Sequence, residues 1–130
     1  ALSNWSSSTG TGDPCTALVP GSSSLSYWTG VTCTTSGGAV EAIDLRGYNL
    51  NISQLPSDWY LFGSSLVSIQ MSQNYIAGSL PEAWSSLSML TRLDLGYNDL
   101  RGTLPAAWSA LSQLRTLRLN NNVGLVSTIP

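Results

Sequence analysis

The feature that most constrains the fold of this chain is an internal repeat. The segment LPEAWSSL, which begins at Leu80, recurs almost unchanged as LPAAWSAL, which begins at Leu104. Prolines follow the same nearly constant spacing, at Pro56, Pro81, Pro105 and Pro130. A tryptophan lies three residues after each of the first three prolines, at Trp59, Trp84 and Trp108. A period of about 20–29 residues indicates a solenoid, in which small units stack and share one core.

Each repeat contains a short alternating apolar pattern that predicts a β-strand. The aligned segments are VEAIDLRGYNL, LVSIQMSQNYI, LTRLDLGYNDL and LRTLRLNNNVG. Their apolar positions are Val40, Ile43, Leu45, Leu50, Leu66, Ile69, Met71, Ile76, Leu90, Leu93, Leu95, Leu100, Leu114, Leu117 and Leu119. Alternate residues of a strand point to opposite faces, so parallel stacking of these strands buries a continuous apolar column. Each large side chain in that column contributes about 1.5–3 kcal/mol.

The segments between the strands predict a turn followed by a short helix. Asparagines follow three of the strands, at Asn74, Asn98 and Asn122. A buried amide at this position can bond to turn backbone groups, and stacked copies would form an asparagine ladder. Gly78 and Gly102 suit a left-handed backbone. Trp84 and Leu87 are three residues apart and share one face of a helical or 3-10 segment, so we expect the tryptophans to pack on the core. The alternative is an exposed aromatic stripe that stacks on sugars.

The repeat LTRLDLGYNDLRGTLPAAWSALSQ resembles the plant-type leucine-rich repeat, L-x-x-L-x-L-x-x-N-x-L-x-G-x-[IL]-P, and the match covers roughly Val40 to Pro130. The resemblance implies an α/β leucine-rich-repeat solenoid with a parallel concave β-sheet, short 3-10 or helical convex segments and a disulfide-linked N-terminal cap. It divides the chain into a cap, residues 1–39, and repeats, residues 40–130, at about 40–65, 66–89, 90–113 and 114–130. We expect the repeats to continue, or to be covered, beyond residue 130. The P-x-x-W element and the absence of lysine favour an algal or protist source.

The segments GDPC, at Gly12–Cys15, and YWTGVTC, at Tyr27–Cys33, resemble the plant N-terminal cap. The resemblance implies that Cys15 pairs with Cys33 and that Trp28 packs beside them. Two cysteines in a secreted chain usually pair, which favours the same interpretation. Two departures from the family pattern predict local bulges. Tyr48 stands where the first repeat should have asparagine, and the first and last repeats each contain one extra residue.

Composition excludes several classes of function. Charged residues make up 9% of the chain, the net charge is −2 and there is no histidine. No basic patch for nucleic acid is present, and a Ser-His-Asp or Cys-His catalytic arrangement is excluded. The carboxylates are scattered, so we expect no enzyme activity, no cofactor and no metal site. No apolar run approaches the roughly 20 residues that span a bilayer.

A polar surface with little charge suits a secreted or cell-surface glycoprotein. No signal peptide is visible, and we expect the chain to start at a mature N-terminus. N-glycosylation sequons begin at Asn4 and Asn51. Localisation is therefore predicted to be extracellular or at the cell surface.

The solvent-facing positions of the strands form three predicted columns across the concave face. They are Ala42, Ser68, Arg92 and Thr116; Asp44, Gln70, Asp94 and Arg118; and Arg46, Ser72, Gly96 and Asn120. One interpretation is a solvated sheet with cross-strand ion pairs such as Asp94 with Arg118, each contributing at most about 1 kcal/mol. The other is a ligand-binding face, which is how solenoids use this surface. The candidate ligand-binding residues are Gln70, Arg92, Asp94, Tyr97 and Arg118.

Two hypotheses for function follow. In the first, the chain is a non-catalytic extracellular binding scaffold that recognises a protein, peptide or glycan ligand through its concave face. In the second, it is a structural cell-surface or wall glycoprotein that assembles end to end into filaments through an uncapped C-terminal repeat. Neither hypothesis includes a nucleic-acid partner or a membrane segment within this chain.

Overall fold

The computed structural model describes residues 30–34, 39–63 and 65–126. In these residues the chain forms eight strands and three 3-10 helices. The strands are β1 (Val31–Cys33), β2 (Val40–Asp44), β3 (Ser68–Gln70), β4 (Ala77–Gly78), β5 (Arg92–Asp94), β6 (Asp99–Thr103), β7 (Thr116–Arg118) and β8 (Gly124–Val126). The helices are Ser57–Phe62, Glu82–Ser86 and Ala106–Ala110. This is the predicted solenoid, with one short helix between successive parallel strands of the main sheet.

The main sheet has five strands in the order β1-β2-β3-β5-β7. β1 is antiparallel to β2, and the other neighbours are parallel. The pairing aligns one row of residues at Ala42, Ser68, Arg92 and Thr116, and a second row at Asp44, Gln70, Asp94 and Arg118. This pairing confirms the register that the repeat predicts for these two columns.

The first repeat is longer than the later ones. Asp44 pairs with Gln70 and Gln70 pairs with Asp94, and the first of these two separations along the chain is longer by two residues. One extra residue lies before Pro56, as predicted. The second lies after it, because the first 3-10 helix has six residues and the other two have five each. The parallel sheet accommodates both additions because they lie outside the strands.

A second sheet, which the repeat pattern did not predict, consists of the parallel strands β4-β6-β8. Gly78 and Gly102 lie in β4 and β6, and each has φ of 91°. The expected left-handed backbone at these glycines is confirmed. A Cβ on Gly78 would lie 2.7 Å from the backbone oxygen of Ser53, so a side chain here would collide with the preceding repeat.

The predicted apolar column forms the core of the first three repeats. The side chains of Ile43, Ile69 and Leu93 are 1%, 0% and 0% exposed. The equivalent Leu117 of β7 is 38% exposed, because no further strand in the described part of the chain covers it. Leu114 and Leu119 beside it are partly buried. Burial of the column therefore depends on a neighbour on both sides of each strand, as expected for a solenoid.

The tryptophans pack on the core in a continuous stack. Trp59, Trp84 and Trp108 are 5%, 0% and 6% exposed. The rings of Trp59 and Trp84 are 5.8 Å apart at an interplanar angle of 4°, and those of Trp84 and Trp108 are 6.4 Å apart at 6°. The predicted packing is confirmed, and the alternative of an exposed sugar-stacking stripe at these three tryptophans is wrong.

The asparagine ladder is present. Asn74 accepts a hydrogen bond from the Leu50 amide at 3.0 Å, and its side-chain amide donates to the carbonyls of Leu45 and Met71. Asn98 and Asn122 repeat this pattern with their own neighbours. Tyr48 occupies the equivalent position of the first repeat, and its side chain is 50% exposed. The ladder therefore begins at Asn74.

Several predictions concern residues outside the described ranges. They are the sequon at Asn4, the cysteine Cys15, the cap tryptophan Trp28 and the final repeat proline Pro130. Cys33 lies within the described part, in β1, and is buried. Asn51 is exposed, as a glycosylation acceptor must be.

Candidate functional site

An open groove of about 840 Å³ crosses the solvent-facing side of the main sheet. It is lined by Gly30, Val31, Thr32, Asp44, Arg46, Tyr48, Ser72, Gln73, Arg92, Asp94, Tyr97, Arg118 and Asn120. These residues come from the strands β1, β2, β5 and β7, from Gly30 before β1 and from the turns that follow the parallel strands. We call this surface the groove.

The groove contains four of the five predicted ligand-binding residues. Arg92, Asp94, Tyr97 and Arg118 line it. Gln70 lies in β3 between Asp44 and Asp94 in the second row and is partly buried, but it is not among the lining residues. The structure therefore brings the predicted residues to one face of the main sheet.

The prediction missed several lining residues. Asp44, Arg46 and Asn120 stand in the predicted columns, so their positions alone could have identified them. In the sequence, Tyr48 stands out only as a departure from the repeat. Gly30, Val31 and Thr32 reach the groove because β1 pairs antiparallel with β2. No repeat pattern signals that pairing, since β1 lies outside the repeats.

Arg46 and Asp44, which both line the groove, form a bidentate ion pair. The Nε and Nη2 atoms of Arg46 each donate to a different carboxylate oxygen of Asp44, both at 2.8 Å. The hydrogen bond from Arg46 lowers the pKa of Asp44 from its ordinary value, more than burial raises it. The same hydrogen bond raises the pKa of Arg46. Both side chains are exposed, at 52% and 40%, so solvent screens the pair.

Asp94 of β5 lines the groove and is only 8% exposed. Its Oδ1 atom accepts a hydrogen bond from the Gly96 amide at 3.1 Å. A Cβ on Gly96 would lie 2.9 Å from Oδ1 of Asn120 and 3.4 Å from Oδ1 of Asp94. Glycine at this position therefore leaves space between the carboxylate and the neighbouring amide.

The predicted Asp94–Arg118 ion pair is wrong, although these residues are cross-strand neighbours. Within the described residues the structure records one ion pair, between Asp44 and Arg46 of the same strand region. Asp94 is held by a backbone amide instead. The Asp94 carboxylate bonds to the turn after its own strand, and not to the side chain of Arg118 on the next strand.

Arg92 contains an unsatisfied donor. Its Nε atom is buried and is the one buried side-chain polar atom in the described residues that lacks a hydrogen-bond partner. A buried donor without an acceptor costs about 1–3 kcal/mol. A ligand acceptor toward which the Arg92 side chain turns would recover part of that cost.

Positive charge is concentrated in the groove. Three of the five arginines of the chain, Arg46, Arg92 and Arg118, line it together with two of the seven acids, Asp44 and Asp94. The lining therefore carries an excess of one positive charge in a chain of net charge −2. No three His, Cys, Asp or Glu residues of the described ranges lie close enough together to hold a metal ion. Nor does any helix there have the length and apolar character of a membrane span.

Comparisons with known proteins agree with this architecture. Residues 64–123 match the model of the Leucine rich repeat family. The protein MALE DISCOVERER 2 of Arabidopsis thaliana is 38% identical over 72 residues, which are 55% of this chain and 10% of that protein. The chain thus spans about a tenth of the length of this relative.

Solved structures with the same fold include two from Arabidopsis thaliana and a TDR receptor. The BIR3–SERK2 complex of Arabidopsis thaliana matches at 25% identity and a TM-score of 0.57, covering 99% of this chain and 76% of that chain. The BIR2 ectodomain of Arabidopsis thaliana matches at 20% identity and a TM-score of 0.60, covering 76% of each chain. A TDR receptor matches at 30% identity and a TM-score of 0.53, covering 61% of this chain and 13% of that chain. Together with the repeats, the ladder and the sheet register, these matches show a leucine-rich-repeat solenoid that is similar to the repeats of plant proteins.

Proposed function

We propose that the chain is a non-catalytic extracellular binding scaffold that recognises a protein, peptide or glycan ligand through the groove. The observation that carries this proposal is the buried, unpartnered Nε of Arg92 in a groove with excess positive charge. One solved match is a complex of two proteins, BIR3 and SERK2, which supports a binding role for a chain of this fold.

The proposed contacts follow from the position of each side chain. Arg92 and Arg118 supply guanidinium donors to the groove, and Asp94 supplies an acceptor. Tyr97, which is 52% exposed, supplies an aromatic ring at the groove edge. Gln70 would contribute from β3, between Asp44 and Asp94, if a ligand lies close to the sheet.

Titration against libraries of peptides and oligosaccharides tests the proposal. We expect Arg92→Ala or Arg118→Ala to lower the affinity for the tightest-binding ligand about tenfold or more, because each removes a charge-assisted hydrogen bond. Arg101→Ala is the matched control, since Arg101 is an exposed arginine of β6 that does not line the groove. Equal affinity of all three variants and the wild type would count against binding in the groove.

We also propose that residues 1–39 form a cap closed by a disulfide between Cys15 and Cys33, and that residues 40–130 form the repeats. The burial of Cys33 in β1, the strand that covers the edge of β2, supports this division. Secretion and glycosylation at Asn51 belong to the same proposal, because the sequon begins at an exposed residue. Mass analysis of protein from a secreting plant host, with and without glycosidase, tests the glycan.

A second candidate function is end-to-end assembly as a structural surface or wall glycoprotein. The observation in its favour is the end face at β7, where Leu117 is 38% exposed although its equivalent Leu93 is fully buried. A second copy stacked on this face would bury Leu117. Light scattering across a wide concentration range tests the proposal, and we expect Leu117→Asp to prevent any assembly. A strictly monomeric wild type at the highest concentration would exclude it.

A further inference from the structure

We propose that the ligand of the groove is an acidic oligosaccharide, with its carboxylate or sulfate bound by Arg92 and Arg118 and its sugar rings packed on Tyr48 and Tyr97. This inference rests on the proposed binding function of the groove and assigns the chemical class of its ligand. It concerns the groove alone and does not involve the buried tryptophans.

The charges of the groove leave two cations available to an anion. Both carboxylate oxygens of Asp44 are engaged by Arg46, through two hydrogen bonds of 2.8 Å. Asp94 accepts the Gly96 amide. Across the described residues, the structure records no hydrogen bond from the guanidinium of Arg92 or of Arg118, and Nε of Arg92 is buried. A planar guanidinium binds carboxylate and sulfate oxygens through two parallel hydrogen bonds, so an anionic group is the complement of this part of the groove.

The rest of the lining favours a sugar over a peptide. Val31 is the one aliphatic side chain among the lining residues. Peptides gain most of their affinity from apolar or aromatic anchors that fill apolar pockets, and the described lining of the groove offers no such pocket. Ser72, Gln73 and Asn120 instead add hydroxyl and amide groups to the lining. Such groups both donate and accept hydrogen bonds, as the hydroxyls of a sugar do.

Two tyrosines present their rings at the groove edge. Tyr48 and Tyr97 are 50% and 52% exposed and lie in the turns after β2 and β5. Because one strand, β3, separates β2 from β5, the two turns are about 10 Å apart, twice the spacing of neighbouring strands. An exposed ring offers an apolar face to the C–H groups of a sugar while its hydroxyl stays in water. The tyrosines can therefore contact two places along one oligosaccharide.

The test is calorimetric titration of the full chain with four probes of matched length. They are an oligogalacturonate, a sulfated oligosaccharide, a neutral cello-oligosaccharide and a glutamate-rich peptide. We expect one or both acidic oligosaccharides to bind at least about tenfold more tightly than the neutral one. Added salt should weaken this binding. The relative affinity of the first two probes distinguishes a carboxylate from a sulfate ligand.

Variants assign the contacts. We expect Arg92→Gln to lower the affinity for the acidic sugar about ten- to a hundredfold and to reduce the preference for the acidic over the neutral sugar. Tyr48→Ala should lower the affinity for both sugars. Tyr75→Ala should leave both affinities unchanged, because Tyr75 is 63% exposed but does not line the groove. Circular dichroism of each variant checks that the fold is kept.

The outcomes separate this inference from the proposed function. Equal binding of neutral and acidic sugars would overturn the role of Arg92 and Arg118. Binding of the acidic peptide alone, with loss on Arg92→Gln, would overturn the sugar assignment and keep the groove as a binding site. If all four probes failed, the sugar assignment would be overturned, and the library titration described above would decide the proposed function separately.

Discussion

At the scale of single residues, left-handed backbone shapes the groove. Gln73, Tyr97 and Asn121 each have φ between 54° and 60°, and each immediately precedes an asparagine of the ladder. For residues other than glycine this conformation costs about 1 kcal/mol or more. The hydrogen bonds of the following asparagine hold the turn closed and offset that cost. The same backbone places Tyr97 at the groove edge, so ladder and candidate site are structurally linked.

Two glycines with the same φ provide a matched test of backbone strain and collision. Gly78→Ala and Gly102→Ala both place a side chain at φ of 91°. The new Cβ meets the Ser53 oxygen at 2.7 Å in the first case and the nearest atom at 3.9 Å in the second. We expect Gly102→Ala to cost about 1–2 kcal/mol of unfolding free energy from backbone strain alone, and Gly78→Ala to cost clearly more. Denaturant titration of both variants measures the difference, and equal losses would contradict the collision.

The Asp44–Arg46 pair gives a prediction for pH. The hydrogen bond from Arg46 lowers the pKa of Asp44 in the folded chain, so the pair stabilises the fold above the ordinary pKa of Asp44 and this contribution disappears as the pH falls through the lowered value. We expect Arg46→Gln to move the pKa of Asp44 back toward its ordinary value of 3.8. NMR titration of the Asp44 carboxyl measures this. Arg115→Gln is the control, because Arg115 is not among the groups that shift Asp44; an equal shift in that variant would contradict the assignment.

At the scale of elements, the tryptophans join each 3-10 helix to the one before it. The indole N–H of Trp84 donates to the Pro56 carbonyl at 3.0 Å, and that of Trp108 donates to the Pro81 carbonyl at 2.8 Å. Each bond runs from one repeat to the proline that precedes the helix of the repeat before it. This explains why the proline and the tryptophan recur together. The helices are too short to be stable alone. The tryptophan stack and these hydrogen bonds link neighbouring helices, as the backbone hydrogen bonds of the main sheet link neighbouring strands.

Removal of the central ring should therefore loosen two interfaces at once. Trp84 is fully buried and stacks on Trp59 and Trp108, so we expect Trp84→Ala to cost about 3–5 kcal/mol of unfolding free energy. Met89→Ala, in the turn that follows the same helix, should cost less than about 0.5 kcal/mol because Met89 is 46% exposed. Thermal and denaturant unfolding compare the two. A loss below about 1 kcal/mol for Trp84→Ala would show that the stack contributes little.

At the scale of the whole molecule, the sequence predicts what repeats and misses what does not. The register of Gln70 with Asp94 and Arg118, and the ladder from Asn74 to Asn122, follow from a period that a reader can count. The pairing of β1 with β2 does not, because one antiparallel strand leaves no periodic signal. The hydrogen-bond partners of Asp94 and Arg92 depend on side-chain torsions, which the period does not determine. The sequence thus predicts which residues share the face of the groove, but not which of their charged side chains pair.

The N-terminal end of the solenoid gives a prediction for the stability of the whole fold. If Cys15 and Cys33 are bonded, the crosslink restricts the unfolded chain, and its loss in Cys15→Ser should cost about 3 kcal/mol of unfolding free energy. Reduction of the wild type should cause a loss of similar size, and the same reductant should leave the Cys15→Ser variant unchanged. Non-reducing peptide mapping identifies the crosslinked pair directly. A wild type whose unfolding midpoint does not respond to reductant would show that β1 covers the edge of β2 without help from a disulfide, since Cys33 would then stabilise the fold only through its burial.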